Sequence, residues 1–388
     1  MDTIAKKEKR LNKICVYTIC KNESQFVERW YESMKEADYI CVLDTGSEDD
    51  TYNKFLDLFV GNSNCSIHRR KITPWRFDTA RNASMEYIPE DANILVCTDL
   101  DEVFEPGWAD ILRSRWDESK YRRVFYKYTW SHDEQGNEER TFIYDKIHSR
   151  DYYWRFPVHE TLTLKDESVA EEKTELMLFD DIHLHHYADN TKPRSSYLPL
   201  LELRKQENPD DYYGRIYLAH EYCYRGLYEK STEELKDILA TCGDKLTSVE
   251  KASCYLFMGD NYFSLGEYDI AYDAYGFGVK ADLTYRECYI GQAKALQQKQ
   301  KWGESINILE DCLKKTWRHY TWLERDTSWT YEVWDMLCMA YFYKTIPNKK
   351  KSALCAAKAL SYSPRDERLI DNLSKCLDVV TDEEILGG

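Results

Sequence analysis

The residues best suited to catalysis are two aspartates separated by one residue, Asp99 and Asp101. They follow an apolar run at 94–97 that has the length and composition of a buried strand. Two carboxylates at such a position repel each other and lose hydration, and a divalent cation removes both costs. Oxygen ligands suit Mn²⁺ or Mg²⁺ better than zinc. The pair therefore predicts a Mn²⁺ or Mg²⁺ site that bridges to a diphosphate.

Asp44 ends a second apolar run and is followed by Thr45, Gly46 and Ser47. Gly46 permits a tight turn, and Ser47 with the acids at 48–50 could cap the next helix. A carboxylate at the end of a strand could accept hydrogen bonds from a nucleoside base or ribose. Asp44 is therefore a candidate ligand-binding residue, whereas the acids after it are interpreted as structural.

Arg81 lies one turn into a helix that the segment 77–82 is expected to begin. The N-terminus of a helix attracts anions, and a guanidinium beside it adds a positive charge and several donors. The alternative is that Asp78 caps the helix and Arg81 pairs with it. We expect both roles.

Short β-branched and apolar runs alternate with helical patterns before residue 190, which predicts an α/β domain with a largely parallel sheet. The runs occupy 14–19, 39–43, 66–72, 94–98 and 123–130. Open α/β sheets bind ligands beyond the carboxyl ends of their strands, so Thr18 and Glu23 near the end of the first run are also candidates. Helix capping by Asn22 or Ser24 explains that segment equally well.

The second half of the chain repeats itself with a period of 34 residues. Gly259 and Tyr268, for example, have counterparts 34 positions later in Ala293 and Trp302. Small residues at helix crossings, aromatic residues beside them and a short turn between two helices resemble the tetratricopeptide pattern. The aromatic residues of this half are then interpreted as helix packing, and the concave face of such a solenoid usually binds a peptide or protein.

Composition excludes several classes of function. The 388 residues carry a net charge of −16, which disfavours nucleic acid and anionic membrane surfaces as partners. No apolar run reaches the ~20 residues of a membrane helix, and no secretory signal is recognised. The 13 cysteines are scattered without paired spacing, which favours reduced thiols in a cytoplasmic protein over a structural zinc site.

The polar segments together resemble a known family. The matching residues are Asn22-Glu23, Asp44-Thr45-Gly46-Ser47-x-Asp49-x-Thr51, Phe77-x-x-Ala80-Arg81-Asn82 and Asp99-x-Asp101. They occur in the order found in family 2 glycosyltransferases of the GT-A fold, and the coupling to tetratricopeptide repeats resembles the subgroup that includes S-glycosyltransferases of bacteriocin peptides. The resemblance implies that Asp44 contacts the nucleoside, that Asp99 and Asp101 hold the cation on the diphosphate, and that Arg81 lies near the phosphates.

Two later segments match the same subgroup. The segment 155–160 is similar to its His-Glu motif on the acceptor side, with Phe-Pro where a glycine is commoner; the resemblance implies that Glu160 is the general base and that His159 orients or replaces it. The segment 183–187 is similar to the motif that closes the catalytic domain, in which His185 completes the metal shell and Lys192 and Arg194 meet the diphosphate. Alternating histidines also fit an exposed strand face.

The predicted organisation is a GT-A domain at 11–190, with a Rossmann-like mixed sheet and flanking helices, a helical connector at 191–208, and tetratricopeptide-like repeats at 209–380. The predicted activity is metal-dependent, inverting transfer of a sugar from a UDP- or GDP-linked donor to a peptide, protein or other acceptor, with a homodimer through the repeats as a further expectation. The donor-binding residues would be Thr18, Glu23, Asp44, Arg81, Asp99, Lys192 and Arg194, and the metal ligands Asp99, Asp101 and His185. The alternative is a non-catalytic tetratricopeptide scaffold with a degenerate nucleotide-sugar domain.

Overall fold

The computed structural model describes residues 12–117, 120, 122–132, 136, 138–166, 177–189 and 197–377. The chain divides into two compact units, Met1–Arg204 and Lys205–Gly388, and the division falls inside a helix at Tyr197–Glu207. Lys192 and Arg194 lie outside the described residues. Each unit is described by itself below.

The N-terminal unit is an α/β domain. In chain order its elements are β1 (Ile14–Cys20), α1 (Val27–Met34), β2 (Tyr39–Asp44), α2 (Thr51–Phe59), β3 (Cys65–Arg69), α3 (Phe77–Met85), β4 (Ile94–Cys97), β5 (Glu102–Phe104), α4 (Trp108–Arg115), β6 (Arg123–His132), β7 (Glu138–His148), β8 (Tyr152–Arg155), β9 (Thr161–Leu164), β10 (Met177–His186) and α5 (Tyr197–Glu207).

The main sheet is mixed. Its strand order in the described residues is β3-β2-β1-β4-β7-β6-β10-β5, and β8 pairs with β9 separately. The strands β3, β2, β1 and β4 are parallel, whereas β7 runs antiparallel to β4 and β6, and β5 antiparallel to β10. A mixed sheet with flanking helices is confirmed, and the expectation of a largely parallel one is wrong for its second half. Because residues 133–137 are too few for a crossover, β6 and β7 must pair as a hairpin.

Burial of β1 on both faces explains the parallel half of the sheet. All seven residues of β1 are buried, as expected for a strand with helices packed on both sides. Ile14 and Val16 pack with Trp30 on one face, and Cys15 and Tyr17 pack in a second cluster on the other. The Trp30 indole donates a hydrogen bond of 3.0 Å to the Thr98 hydroxyl, which ties α1 to the residue just after β4. The packing thus fixes the sheet edge where Asp99 and Asp101 lie.

The C-terminal unit is helical. Its helices are α6 (Tyr212–Tyr224), α7 (Tyr228–Cys242), α8 (Ser248–Ser264), α9 (Tyr268–Ala281), α10 (Arg286–Gln298), α11 (Trp302–Cys312), α12 (Glu332–Tyr343), α13 (Lys349–Tyr362) and α14 (Glu367–Leu377), with a 3₁₀ helix at Asp326–Trp329. Consecutive helices pack against each other. In the part of the chain that the structure describes, no helix combines the length and apolar character needed to cross a bilayer.

The turns between paired helices show the repeat in the backbone itself. Gly226 lies two residues before the start of α7, and Gly266 lies two residues before the start of α9. Their φ values are positive, 72° and 80°. Gln300, which lies 34 positions after Gly266, adopts a φ of 59° before α11. A residue with a side chain, such as Gln300, is strained at positive φ. Because Gln300 nevertheless adopts the same backbone conformation as the two glycines, the geometry of the repeat prevails over the local preference of this residue. The tetratricopeptide-like helix pairs are confirmed.

Candidate functional site

Asp44 ends β2 as a fully buried carboxylate. Its Oδ1 accepts hydrogen bonds from the backbone N–H groups of Gly46 and Ser47 at 2.8 and 2.9 Å and from the Arg69 side chain at 3.2 Å. Gly46 has a φ of 117°, which this turn requires. The Oδ2 atom is buried and, among the described residues, has no hydrogen-bond partner. A buried acceptor without a donor is costly, so this oxygen suits a ligand that brings an N–H or O–H group.

The loop after β1 is bound to the loop after β2. The Asn22 side chain accepts a hydrogen bond from the Glu48 N–H at 2.7 Å, and the Glu23 N–H donates to the Thr51 hydroxyl at 2.7 Å. The expected capping of α1 by Asn22 or Ser24 is wrong, because its N-cap residue is Phe26 and no side chain caps it. The two loops therefore support each other beside Asp44.

Thr18 lies apart from these loop contacts. It is fully buried in β1, and its hydroxyl donates to the Ile19 carbonyl at 3.2 Å. Glu23 is nearly buried, and its carboxylate accepts a hydrogen bond from the Lys21 N–H at 3.4 Å. Each of these two predicted donor-binding side chains thus makes a hydrogen bond with neighbouring backbone.

Arg81 joins the two catalytic segments predicted from the sequence. Its guanidinium is buried, donates to Asp99 Oδ1 at 2.8 Å and forms a short ion pair with Glu160. The alternative pairing with Asp78 is wrong, because Arg76 binds both oxygens of Asp78, at 3.0 and 2.8 Å. A single side chain from α3 therefore brings the acid after β4 together with the acid before β9.

Lys146 and Glu102 complete the cluster, and sequence reasoning missed both. The Lys146 ammonium lies in β7 and donates to Asp99 Oδ2 at 2.8 Å and to Glu102 Oε1 at 3.2 Å, while the Tyr128 hydroxyl donates to the same Glu102 oxygen at 3.0 Å. The register that pairs Val96 with Ile147 brings Lys146 here. No local sequence pattern gives that register, so only the antiparallel pairing of β4 with β7 could have identified the lysine.

Electrostatics within the cluster keeps Asp99 ionised. Burial alone would raise the pKa of Asp99, but the Arg81 and Lys146 charges hold it well below its ordinary value. Burial raises the pKa of Glu102 in spite of the same lysine. Both oxygens of Asp99 are thus engaged by cations of the protein.

Asp101 has a histidine partner, and it is not the predicted one. Its Oδ2 lies 3.3 Å from His186 Nε2, and His186 Nδ1 lies 2.9 Å from the Trp130 carbonyl oxygen. Burial disfavours the charged ring, but the Asp101 carboxylate outweighs it and raises the pKa of His186. His185, the predicted metal ligand, lies instead beside Glu105 at 3.1 Å. Neighbouring residues of a strand face opposite sides, so the structure does not bring His185 to Asp101.

The donors at Asp101 and His186 suit a divalent cation. One carboxylate oxygen and one imidazole nitrogen face each other at 3.3 Å, and the Asp101 side chain is 17% exposed. The carboxylate suits Mn²⁺ or Mg²⁺, the imidazole suits other divalent metals of the first transition row, and Asp99 lies two residues away. The fit is better for Asp101 than for Asp99, whose oxygens already face two protein cations.

The loop before Glu160 is held in a strained conformation. Phe156 and His159 have φ values of 83° and 47°, where a glycine is usual. Arg204 stabilises the loop, because it donates to the Val158 and His159 carbonyls at 3.0 and 2.8 Å and lies 3.9 Å from the centre of the Phe156 ring. The His159 ring packs edge-on against Tyr197, at 5.8 Å between centroids. The loop thus presents Glu160 to Arg81.

Comparison with known proteins assigns the N-terminal unit. The model of the family "Glycosyl transferase family 2" matches residues 15–169. These residues include Asp44, Arg81, Asp99, Asp101 and Glu160. The N-terminal unit therefore carries a family 2 glycosyltransferase domain. No curated protein matches the sequence of the chain.

Three solved structures that resemble part of this chain are the following. A tetratricopeptide repeat protein of Thermus thermophilus has a TM-score of 0.37 and 17% identity, covering 48% of this chain and 91% of its own. One from Parabacteroides merdae has a TM-score of 0.37 and 13% identity over 47% and 66% of the two chains. The protein MamA of Desulfovibrio magneticus has a TM-score of 0.34 and 13% identity over 44% and 90%. The assignment of the helical repeats rests on this chain's own helix pairs.

Proposed function

We propose that the chain is a metal-dependent glycosyltransferase that moves a sugar from a nucleoside diphosphate sugar to a nucleophile on a peptide or protein. The observation that carries the proposal is the convergence of Asp99 and Glu160 on the buried Arg81 guanidinium. This contact places Asp99, the predicted donor-side acid, beside Glu160, the predicted acceptor-side acid. Sugar transfer needs the donor and the acceptor bound side by side. The family 2 match over residues 15–169 supports the reaction class.

The donor would be recognised at two places on the sheet edge. The buried Oδ2 of Asp44 would accept a hydrogen bond from the nucleoside, because it is an acceptor that lacks a donor. Thr18 and Glu23 would shape this end of the site, and the diphosphate would lie near Asp99 and Arg81. Lys192 and Arg194 keep their predicted role in meeting the diphosphate.

The charge of the cluster explains why a cation is needed. Arg81 and Lys146 are two positive charges, and they face the carboxylates of Asp99, Glu102 and Glu160. Adding Asp101 makes four carboxylates against these two cations, which is an excess of negative charge when His186 is neutral. An anionic diphosphate is repelled by such a cluster unless a cation accompanies it.

Asp101 and His186 would hold the cation, with Asp99 contributing from its position two residues earlier. Mn²⁺ or Mg²⁺ bound there would stabilise the charge that develops on the departing diphosphate. His186 replaces His185 in this assignment, because His186 faces Asp101 at 3.3 Å.

In the transfer step the bond between the anomeric carbon and the diphosphate oxygen breaks, and a bond from that carbon to the acceptor oxygen or sulfur forms. The acceptor proton passes to a carboxylate, for which Glu160 is the candidate because Arg81 and the Arg204-supported loop fix its orientation. His159 would help to position this loop. A single displacement of this kind inverts the anomeric configuration.

The acceptor would be a polypeptide bound through the helical repeats, as tetratricopeptide-like solenoids usually bind peptides. A thiol acceptor, by the resemblance to bacteriocin S-glycosyltransferases, and a repeat-mediated homodimer are parts of the same proposal. All 13 cysteines lie among the described residues and none of them forms a disulfide, which suits a reducing compartment such as the cytoplasm.

The proposal is tested by release of nucleoside diphosphate from a panel of UDP- and GDP-sugars, with Mn²⁺, with Mg²⁺ and after chelation. We expect turnover with at least one donor that is lost on chelation, and a reduction of kcat/KM by about 10²–10³ in the variant Asp101→Asn. Asp110→Asn is the matched control, because its side chain is 90% exposed in the same unit. It should retain full activity.

Two results would contradict this function. Full metal-dependent turnover by Asp101→Asn would show that the cation is held elsewhere. Absence of both turnover and metal-dependent nucleotide binding with every donor would favour the scaffold, which needs the repeats but no donor.

A further inference from the structure

Strand β10 carries a second cluster of metal-binding residue types on the face opposite His186. Because side chains alternate along a strand, His183 and His185 share one face while Leu184 and His186 share the other. Glu105, just after β5, reaches the first of these faces: its Oε1 lies 3.0 Å from His183 Nδ1 and 3.1 Å from His185 Nε2. The cluster is therefore separate from the Asp101–His186 pair.

The spacing of these three donors matches the coordination shell of a small cation. All three ligand atoms lie within 4.8 Å of one another. Metal–ligand bonds of about 2.0–2.1 Å in tetrahedral arrangement place ligand atoms roughly 3.3 Å apart, close to the two measured separations. Two imidazoles and one carboxylate are a ligand set found at zinc sites, where the fourth position is left for water.

In both His183 and His185, the ring nitrogen that does not face Glu105 has a hydrogen-bonding partner of its own. His183 Nε2 lies 2.8 Å from the Thr129 hydroxyl and 3.6 Å from Glu138 Oε1. His185 Nδ1 lies 3.0 Å from His132 Nε2. A metal-bound histidine typically uses its other ring nitrogen in a hydrogen bond of this kind, which fixes the ring and its tautomer.

The cluster is also accessible. The side chains of His183 and His185 are 7% and 15% exposed, whereas that of Glu105 is 57% exposed. Two nearly buried nitrogens and one half-exposed oxygen give a cation an approach from solvent on the Glu105 side. Glu105 can also be replaced without opening the core.

We propose that Glu105, His183 and His185 bind one Zn²⁺ ion, distinct from the cation of the transfer reaction. The ion would link Glu105, which follows β5, to the two histidines of β10. These two strands pair antiparallel at the edge of the sheet. The ion would thereby hold in place the strand whose opposite face carries His186. This site departs from the expectation against a structural zinc site, which rested on the cysteines alone, because its ligands are two histidines and a glutamate.

The test is the number of Zn²⁺ ions bound per chain by the full-length protein, measured after chelation and titration with Zn²⁺ alone, without nucleotide. Glu105→Gln keeps the size of the side chain and removes its charge. We expect this variant and His185→Gln each to bind one ion fewer than the wild type, or to bind that ion about 100-fold more weakly or worse. His186→Gln, on the same strand, should retain this ion.

Substituting Co²⁺ gives a second readout, since its visible absorption distinguishes four-coordinate from six-coordinate sites. The four-coordinate signal should be lost in Glu105→Gln and retained in His186→Gln. Equal Zn²⁺ binding by the wild type and Glu105→Gln would overturn the proposal, leaving Glu105 as a plain hydrogen-bond acceptor. Because no sugar donor is involved, this result is independent of the fate of the proposed activity.

Discussion

Asp99 in the N-terminal unit has a side chain that is 34% exposed, whereas Glu287 in the C-terminal unit is buried, and the pKa values of the two carboxylates move in opposite directions. Burial opposes ionisation of Asp99, yet Arg81 and Lys146 hold its pKa well below the ordinary value. Burial raises the pKa of Glu287 to about 7, although the Arg325 N–H and the Ser328 hydroxyl donate to it. Asp99 therefore stays charged at the candidate site, whereas Glu287 can become neutral among the packed helices.

The buried cations of the two units differ in which elements supply their carboxylate partners. Lys146 joins residues that follow β4, at a sheet edge where several elements meet. Arg215 joins Glu234 and Asp237, both on the neighbouring helix α7. Buried charge therefore does not mark a functional site by itself. What marks the site is charge brought by several elements to the carboxyl ends of strands.

The largest effect that separates these two roles is expected from matched removal of the cations. Lys146→Met leaves Asp99 with Arg81 alone and removes the cation beside Glu102, so it should lower the free energy of unfolding by about 3 kcal/mol and abolish sugar transfer. Arg215→Met should destabilise by about 2–3 kcal/mol, because Lys205 still pairs with Glu234, and should leave kcat/KM unchanged in the folded protein. Urea denaturation and nucleoside diphosphate release measure the two quantities. Transfer that survives Lys146→Met, or is abolished by Arg215→Met at a temperature where the chain is folded, would break the distinction.

A smaller effect is expected from the pH dependence of Glu287. Its folded pKa of about 7 lies above the ordinary 4.5, so the native state holds an extra proton between these values. The stabilisation is complete below pH 4.5 and is lost as the pH rises to 7. Glu287→Gln lacks this loss, so its stability relative to the wild type should rise by roughly 2–3 kcal/mol from pH 5 to pH 8.

Thermal or urea denaturation at both pH values measures this difference. Glu304→Gln is the control, since its side chain is 60% exposed, and its stability relative to the wild type should stay constant. If the difference between Glu287→Gln and the wild type is also constant, Glu287 is ionised in the folded state like Asp99.

The smallest effect concerns the packing of the repeats. The Tyr275 ring lies against Gly259 and Gly291, where an added Cβ would approach its atoms to 2.4 and 2.5 Å. Gly259→Ala should therefore destabilise by about 1–2 kcal/mol, the overpacking cost less the gain in helix propensity. Gly303→Ala meets nothing within 4 Å and should be neutral or stabilising. Denaturation curves in which both variants behave alike would show that the ring is not confined by these glycines.

Much of the fold could be predicted because its signals are local. The apolar runs at 14–19 and 39–43 became β1 and β2, with Asp44 as the last residue of β2. The 34-residue repeat became helix pairs, with a left-handed turn even where Gln300 replaces glycine. The mixed half of the sheet could not be predicted in the same way, because antiparallel pairing joins residues far apart in sequence.

The candidate site divides along the same line. Asp99, Asp101 and Arg81 were identifiable by type and spacing, and Glu160 by the resemblance to a family motif. Their mutual contacts were not identifiable, and Arg81 was also assigned to Asp78. Lys146 had no motif at all, because its place depends on the pairing of β7 with β4. Contact partners are set by strand register, which short motifs do not encode.

The sequence by itself determined which groups are available: strands that end in carboxylates, an arginine in the intervening helix, and a run of histidines in a late strand. Only the tertiary structure decided which histidine meets Asp101. In the pairing of β10 with β6, Phe179 lies opposite Tyr126 and His183 lies opposite Lys127, so β10 has three extra residues, 180–182, at this point. This bulge adds an odd number of residues and exchanges the two faces of the strand, so that His186 joins Asp101 while His183 and His185 join Glu105.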